Sequence, residues 1–165
     1  MNALYSTTID TPIGALTVVE NDEVVLAAGM YPSAAPLVAR MPEIDISDVE
    51  ERNGGPGAKA VRAYFAGEIG VFDGLTVRQP GSPYRQRVWE EMRKIRAGET
   101  ISYSELARRA ENPKAVRAAA TCCAQNLIAP IVPCHRVVRS DGSLGEYGYG
   151  LDSKTWLLKH EKANI

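Results

Sequence analysis

Ile131-Val132-Pro133-Cys134-His135-Arg136-Val137-Val138 is the stretch on which the reading of this chain turns. A thiol and an imidazole stand side by side between apolar β-formers, with prolines at 130 and 133. Proline fixes its own φ and pushes the preceding residue into extended geometry. Cys134 is therefore expected on a stiff, extended backbone. A free thiol is mostly protonated at neutral pH, so a nucleophilic cysteine needs a base or a field. His135 is the nearest base. Neighbours on an extended chain point to opposite faces, so His135 would act through a bridging water or from a local bend. A base also needs an orienting group. Glu161 lies four residues after Leu157 on the last helical stretch, shares its apolar face and is the best inward carboxylate. His160 shares the face of Trp156; taken alone, each of Glu161 and His160 suits a surface position on a fraying terminal helix better. A buried strand cysteine beside a core histidine fits the same residues equally well.

Composition narrows the class. The chain has 165 residues, 45% apolar and 24% charged, which suits one or two small globular domains. No apolar run approaches a membrane span, and no charged-then-apolar N-terminus suggests a signal peptide. Three cysteines, an odd number, argue for a reducing compartment and against a disulfide framework. A cytoplasmic protein is expected. Residues 1–82 carry 5 basic and 11 acidic residues, a net charge of −6, whereas residues 83–165 carry 14 and 9, a net charge of +5. A basic C-terminal half suits a polyanionic partner. On charge alone an uneven, salt-bridged surface suits it equally.

Residues 3–31 predict two or three antiparallel strands, over Leu4–Ile9, Ala15–Val19 and Val24–Ala28, with turns at Thr11-Pro12-Ile13-Gly14 and Asn21-Asp22. Residues 32–55 are Pro- and acid-rich and read as loop. Lys59–Phe65 reads as helix and Phe72–Val77 as a strand. Residues 1–79 contain no Cys or His, which excludes a metal site of nitrogen or sulfur ligands there and points to a supporting role.

Gln79-Pro80-Gly81-Ser82-Pro83 marks a boundary. Ser82 can cap a helix with Pro83 at its first position, and Tyr84, Val88, Met92 and Ile95 recur at helical spacing until Gly98. Ser102-Tyr103-Ser104-Glu105 is a capping box that opens a second helix. Asn112-Pro113 predicts the start of a third, running to Gln125. A helix, a tight turn and a helix outline a helix-turn-helix. The third helix is nearly all small residues: Ala115, Ala118, Ala119, Ala120, Thr121, Cys122, Cys123 and Ala124, with Arg117 the only formal charge between Lys114 and Arg136. Such a helix cannot read many base edges. It suits close approach to a backbone or groove, or an ordinary alanine-rich core. The Cys122-Cys123 pair reads as small apolar filler. Gly145-Glu146-Tyr147-Gly148-Tyr149-Gly150 is a glycine-punctuated loop that suits either a flat ligand or a surface turn.

Pro133-Cys134-His135-Arg136-Val137-Val138, Gly145-Glu146-Tyr147, Gly150-Leu151, Trp156-Leu157-Leu158 and His160-Glu161 together resemble the O6-alkylguanine-DNA alkyltransferase family, also called methylated-DNA–protein-cysteine methyltransferases. The resemblance extends through Val88-Trp89, Gly98-Glu99, Ile101-Ser102-Tyr103, Asn112 to Ala115, Arg117 and Asn126, and to Thr11–Thr17. It implies an α+β fold. A small N-terminal antiparallel-sheet, ribonuclease H-like domain (1–79) and a linker (80–82) precede an α-rich, winged-helix-like helix-turn-helix domain (83–165). It implies direct DNA repair without cofactor or metal. O6-alkylguanine is flipped from double-stranded DNA and its alkyl group moves irreversibly to Cys134, once per molecule, on a protein acting as a monomer. By position, Cys134 is the acceptor, His135 takes its proton through water and Glu161 orients His135. Tyr103 donates toward N3 of guanine and Asn126 braces the site. Arg117 fills the space of the flipped base. Tyr147, Gly148 and Tyr149 line the base pocket, and the Val137 carbonyl faces the exocyclic amine. The small-residue helix then enters the minor groove, where sequence need not be read.

Three positions depart from the family's usual pattern. Ala120 stands where Gly is usual, which sets the helix slightly further from DNA. Leu127 stands where Pro commonly follows the Asn, which predicts a less rigid loop. Tyr149 stands where a small Gly is frequent, which predicts a narrower pocket. Two other functions fit parts of the pattern: a non-catalytic sensor of alkylated DNA, and a Cys-His-Glu thiol hydrolase.

Overall fold

The computed structural model describes residues 3–165. They form two compact units, residues 3–79 with 127–129, and residues 80–126 with 130–165.

The first unit is built on β1 (Leu4–Thr11), β2 (Gly14–Glu20) and β3 (Val25–Gly29), an antiparallel meander in which Thr11 pairs with Gly14 and Val18 with Ala28. The tight β1–β2 turn needs a positive φ, which Gly14 supplies at +115°. At the second turn Asn21 accepts the Glu23 and Val24 N–H groups through its side chain, both at 2.8 Å. Leu16, Val18, Val19, Ala27 and Ala28 are fully buried. The helix over them, α2 (Pro56–Phe65), starts at a proline and sets Ala58, Val61 and Tyr64 inward. Gly57 permits the contact: a Cβ there would lie 2.8 Å from Val25 Cγ2 and 3.1 Å from Val18 Cγ1.

Segment 32–55 is more ordered than its sequence predicts. It contains α1 (Ala35–Val38), a 3₁₀ turn (Ile46–Asp48) and β4 (Val49–Glu51). β4 lies parallel to β1, Leu4 facing Val49 and Ser6 facing Glu51, so the sheet is mixed, in the order β3-β2-β1-β4. Three residues carrying two exposed glutamates suit a sheet edge but are too short to show periodicity. The strand expected over Phe72–Val77 is a 3₁₀ turn, Val71–Gly74, followed by a single bridge from Val77 to Val25. Phe72 turns back to stack on Tyr64, ring centroids 4.6 Å apart.

The second unit carries α3 (Pro83–Arg93), β5 (Ile101–Ser102), α4 (Tyr103–Arg109), α5 (Val116–Ala124), β6 (Val137–Val138) and α6 (Leu151–His160). Ser82 Oγ accepts the Arg85 N–H, with Pro83 at the first helical position. Trp89 Nε1 donates 2.9 Å to the Cys122 carbonyl and ties α3 to α5. α3 stops at Arg93; Gly98, at φ +93°, belongs to the turn beyond it. Half of the predicted capping box forms. Ser102 Oγ accepts the Glu105 N–H at 3.0 Å, while the Glu105 carboxylate turns to Arg108 and Arg109.

The third helix begins later than predicted. Glu111 takes a left-handed φ of +65° and stops α4. Asn112 to Ala115 then close a turn, Ala115 N–H to Asn112 O at 3.0 Å. Pro113 sits where a turn favours proline. No helix among the described residues is long and apolar enough to cross a membrane.

Candidate active site

Cys134 sits on a bend. Pro133 adopts φ −86° and ψ 67°, an inverse γ-turn closed by Cys134 N–H to Val132 O at 2.9 Å. Residues Cys134–Arg136 then form a 3₁₀ turn. The extended backbone expected from the two prolines is corrected here. Strand alternation therefore does not apply to Cys134 and His135. β6 follows at once and pairs in parallel with β5, Ile101 facing Val137 and Ser102 facing Val138. That pairing anchors the turn beside the start of α4, whose first residue is Tyr103.

His135 is completely buried, and its Nε2 lies 2.8 Å from Glu161 Oε2. Arg136 grips the same carboxylate from both sides, Nε to Oε1 at 2.8 Å and NH2 to Oε2 at 2.9 Å, and donates 2.6 Å to the Ile95 carbonyl. Glu161, 1% exposed, ends α6 rather than fraying from it, its N–H donating to Leu157 O. Burial pushes the Glu161 carboxyl up, but the hydrogen bonds and charges of His135 and Arg136 outweigh it and hold it down at about 2. Burial pushes the His135 imidazole below its ordinary value, against the pull of Glu161. At neutral pH the array is a carboxylate fixed by a guanidinium, presenting an uncharged imidazole. Nδ1 of that imidazole has no protein hydrogen bond among the described residues.

The Cys134 thiol is 8% exposed, and burial raises it above the ordinary thiol range. Opposing groups stand ready: Asn126, the Lys154 charge and the backbone amides of Cys134 and His135 all favour the thiolate. Asn126 Nδ2 donates 2.7 Å to Val132 O and reaches Cys134 Sγ at 3.4 Å. It thus clamps both ends of the γ-turn. The resting state is a thiol that ionises when a base takes its proton. Among the described residues no cluster of three or more His, Cys, Asp or Glu side chains is arranged to hold a metal ion.

Residues 83–163 match the family model described as "6-O-methylguanine DNA methyltransferase, DNA binding domain". The chain is 31% identical over 166 residues to the methylated-DNA–protein-cysteine methyltransferase of Shigella flexneri, covering 98% of this chain and 97% of that one. A probable methylated-DNA–protein-cysteine methyltransferase of Acanthamoeba polyphaga mimivirus is 48% identical over 101 residues, 61% of this chain and 67% of that one. The crystal structure of Mycobacterium tuberculosis OGT in complex with DNA superposes with a TM-score of 0.80 at 36% identity, covering 96% of this chain and 92% of that one. The chain belongs to the methylated-DNA–protein-cysteine methyltransferase family.

The remaining residues expected from the family resemblance are distributed as follows. Tyr103 is half-buried, its hydroxyl pushed up to about 12 by burial and by the neighbouring Cys123 and Cys134. The 139–150 loop passes against its ring: a Cβ on Gly145 would sit 3.1 Å from Tyr103 Cε2. Tyr147 meets the His135 ring edge-on at 6.5 Å, and Tyr149 meets Tyr147 edge-on at 5.6 Å. Gly148 between them is exposed. Arg117 is exposed on α5 together with Ala118, Thr121 and Ala124, a face of small side chains around one arginine. Thr121 Oγ1 turns back to Arg117 O at 3.0 Å, leaving that face smoother still. Cys122 is buried and Cys123 Sγ lies 3.7 Å from Met92 Sδ, as small apolar filler would. His160 stacks on Trp156, ring centroids 4.6 Å apart.

The loop after Asn126 differs from its expectation. Leu127 donates its N–H to Gln79 Oε1 at 2.9 Å, a bond that a proline could not make. Ala28 pairs with Leu127 O and Ala129 N–H on either side. Replacing proline by leucine therefore pins this segment.

Sequence reasoning missed Lys154. It is wholly buried on α6 and donates through Nζ to the carbonyls of Val137 (2.8 Å), Leu144 (2.5 Å) and Glu146 (3.2 Å). The signal was present: Lys154, Leu157, Leu158 and Glu161 share one helical face.

Proposed function

We propose that this chain is a DNA repair methyltransferase that takes alkyl groups from O6 of guanine in double-stranded DNA and keeps them on Cys134. The observation that carries the reading is the buried array in which Arg136 holds Glu161 against His135, the residue next to the buried Cys134.

In this reading His135 Nδ1 accepts the thiol proton through a water, and Glu161 steadies the imidazolium that results. The Cys134 sulfur attacks the alkyl carbon on O6. The sulfur–carbon bond forms as the carbon–oxygen bond breaks, and the electron pair passes into the purine. Tyr103 donates toward N3 as that charge builds. Asn126 holds the thiol in place. Tyr147, Gly148 and Tyr149 receive the flipped base, and the second lone pair of the Val137 carbonyl takes its exocyclic amine. Arg117 enters the stack in place of the base, offsetting part of a cost of a few kcal/mol. The small face of α5 lies in the minor groove, where it meets every sequence alike. The protein acts as a monomer in the cytoplasm and needs no cofactor.

A thioether has no route back to a thiol here, so each molecule acts once. With lesion-bearing duplex in excess, repaired guanine rises to one equivalent of protein and stops. Continued release of alcohol or of repaired DNA beyond one equivalent is the hydrolytic result and overturns the reading. Binding without repair is the sensor result and overturns it equally.

A further inference from the structure

Lys154 is a cation in an unusual place. Its side chain is fully buried, and an ammonium carries three donors, all of which meet neutral carbonyls. No ion pair joins it to a carboxylate among the described residues; the buried Glu161 is engaged by His135 and Arg136. A buried charge balanced only by dipoles is costly, and it persists where something needs it. The groups around it are Tyr103 on α4, its ring centroid 5.9 Å from Nζ, Cys123 on α5, Cys134 and His135 on the 3₁₀ turn, and Arg139 after β6. Of these, Cys134 becomes an anion in the reaction.

We propose that Lys154 is a positioning residue for alkyl transfer, whose buried ammonium fixes the 137–146 carbonyls and supplies the counter-charge for the Cys134 thiolate. Burial pushes the Lys154 ammonium below the ordinary lysine range, and the two charges act on each other: the lysine favours the thiolate, and the thiolate favours the ammonium. With His135 neutral and Arg136 paired to Glu161, Lys154 is, among the described residues, the cation whose charge acts on the Cys134 sulfur. The same cation disfavours protonated His135, keeping the base uncharged until it is used. This inference rests on the repair reading for its purpose but not for its test.

The test follows carboxamidomethylation of Cys134 by iodoacetamide against pH, read by peptide mass, which requires no DNA. Lys154→Met keeps the length and loses the charge; Lys154→Arg keeps the charge. In Lys154→Met the midpoint of the reactivity profile rises by about one pH unit, so reactivity at neutral pH drops roughly tenfold. Lys154→Arg restores it in large part. Methyl transfer from O6-methylguanine duplex falls by a similar factor in Lys154→Met and recovers as pH is raised. An unchanged midpoint, with rates lowered equally at every pH, makes Lys154 a structural staple and overturns the proposal.

Should Lys154→Met fail to fold, the unaltered protein gives the answer. The ε-carbon of Lys154, labelled with ¹³C, is titrated before and after Cys134 is capped with the neutral carboxamidomethyl group. The lysine titrates at lower pH once its anionic partner is gone; an unmoved titration contradicts the pairing. A wild type that shows this shift yet takes no methyl from O6-methylguanine duplex upholds the lysine–thiol pair while refuting the repair reading.

Discussion

Two carboxylates lie equally deep in this molecule, and they behave in opposite ways. Glu20, in the first unit, and Glu161, in the second, are each 1% exposed. Glu20 reaches from β2 to the start of α2 and accepts the Gly57 and Ala58 N–H groups at 2.7 and 3.0 Å. Two amides at a helix start hold it without a counter-charge, and burial, helped by the like charge of Asp22, leaves its carboxyl above the ordinary range. Glu161 meets a guanidinium and an imidazole and is held at about 2. Partial charges satisfy a buried carboxylate's hydrogen bonds; a full charge fixes its ionisation. The first arrangement caps a helix, and the second holds a permanent anion beside a base.

Removing the charge from Glu161 has the larger expected effect. Glu161→Gln leaves Arg136 buried without its counter-charge and costs about 3–5 kcal/mol. It also lets His135 rotate, so transfer per folded molecule drops at least tenfold; denaturant unfolding and single-turnover rates measure the two. Asn126→Ala comes next. It unlatches Val132 O and the thiol together, costs about 1–3 kcal/mol, and slows transfer more than stability alone explains. Glu20→Gln costs about 1 kcal/mol, since an amide oxygen still accepts an N–H, and leaves transfer per folded molecule unchanged.

The two carboxylates also separate by pH. Glu161 has a lowered folded value, so its stabilisation is complete above the unfolded value of 4.5 and fades as pH falls toward 2. Glu20 has a raised value, so its contribution is complete at low pH and fades as pH rises through the carboxylate range. Plotted against pH, wild-type stability minus each variant's must slope in opposite directions; parallel slopes contradict the opposite ionisation of the two carboxylates. The smallest effect on stability, within about 0.5 kcal/mol, belongs to half-exposed Tyr149→Gly. It changes selectivity instead: the rate on benzyl adducts rises relative to methyl, and an unchanged ratio contradicts a narrowing role for Tyr149.

The three-stranded meander and the residues of the candidate site were both legible in sequence. Cysteine and histidine are scarce in this chain, three and two residues, so their adjacency at 134 and 135 stands out, and a helical period carried Glu161 to the apolar face of α6. The backbone beneath them was not legible. Pro133 suits extended and γ-turn geometry equally, and the choice falls to Asn126 and Val132, which meet only in the folded chain. Asn112 promised a cap, but Glu111 had already turned left-handed and spent the following residues on a turn. β4 is three residues long and is defined by its partner β1, which local pattern cannot show. Lys154 gives no signal of its own, because lysine is a residue type that is almost always exposed. Its three carbonyl acceptors come from a loop that shows nothing of its path in sequence.

Of the three thiols in the chain, Cys134 is the proposed acceptor, and peptide mapping after a single turnover singles it out. Wild-type protein incubated with duplex bearing O6-methylguanine should carry one methyl group, on the peptide containing Cys134 and on neither Cys122 nor Cys123, while Cys134→Ser should carry none and leave the lesion in place. A methyl group on Cys122 or Cys123, or lesion removal by Cys134→Ser, would contradict it.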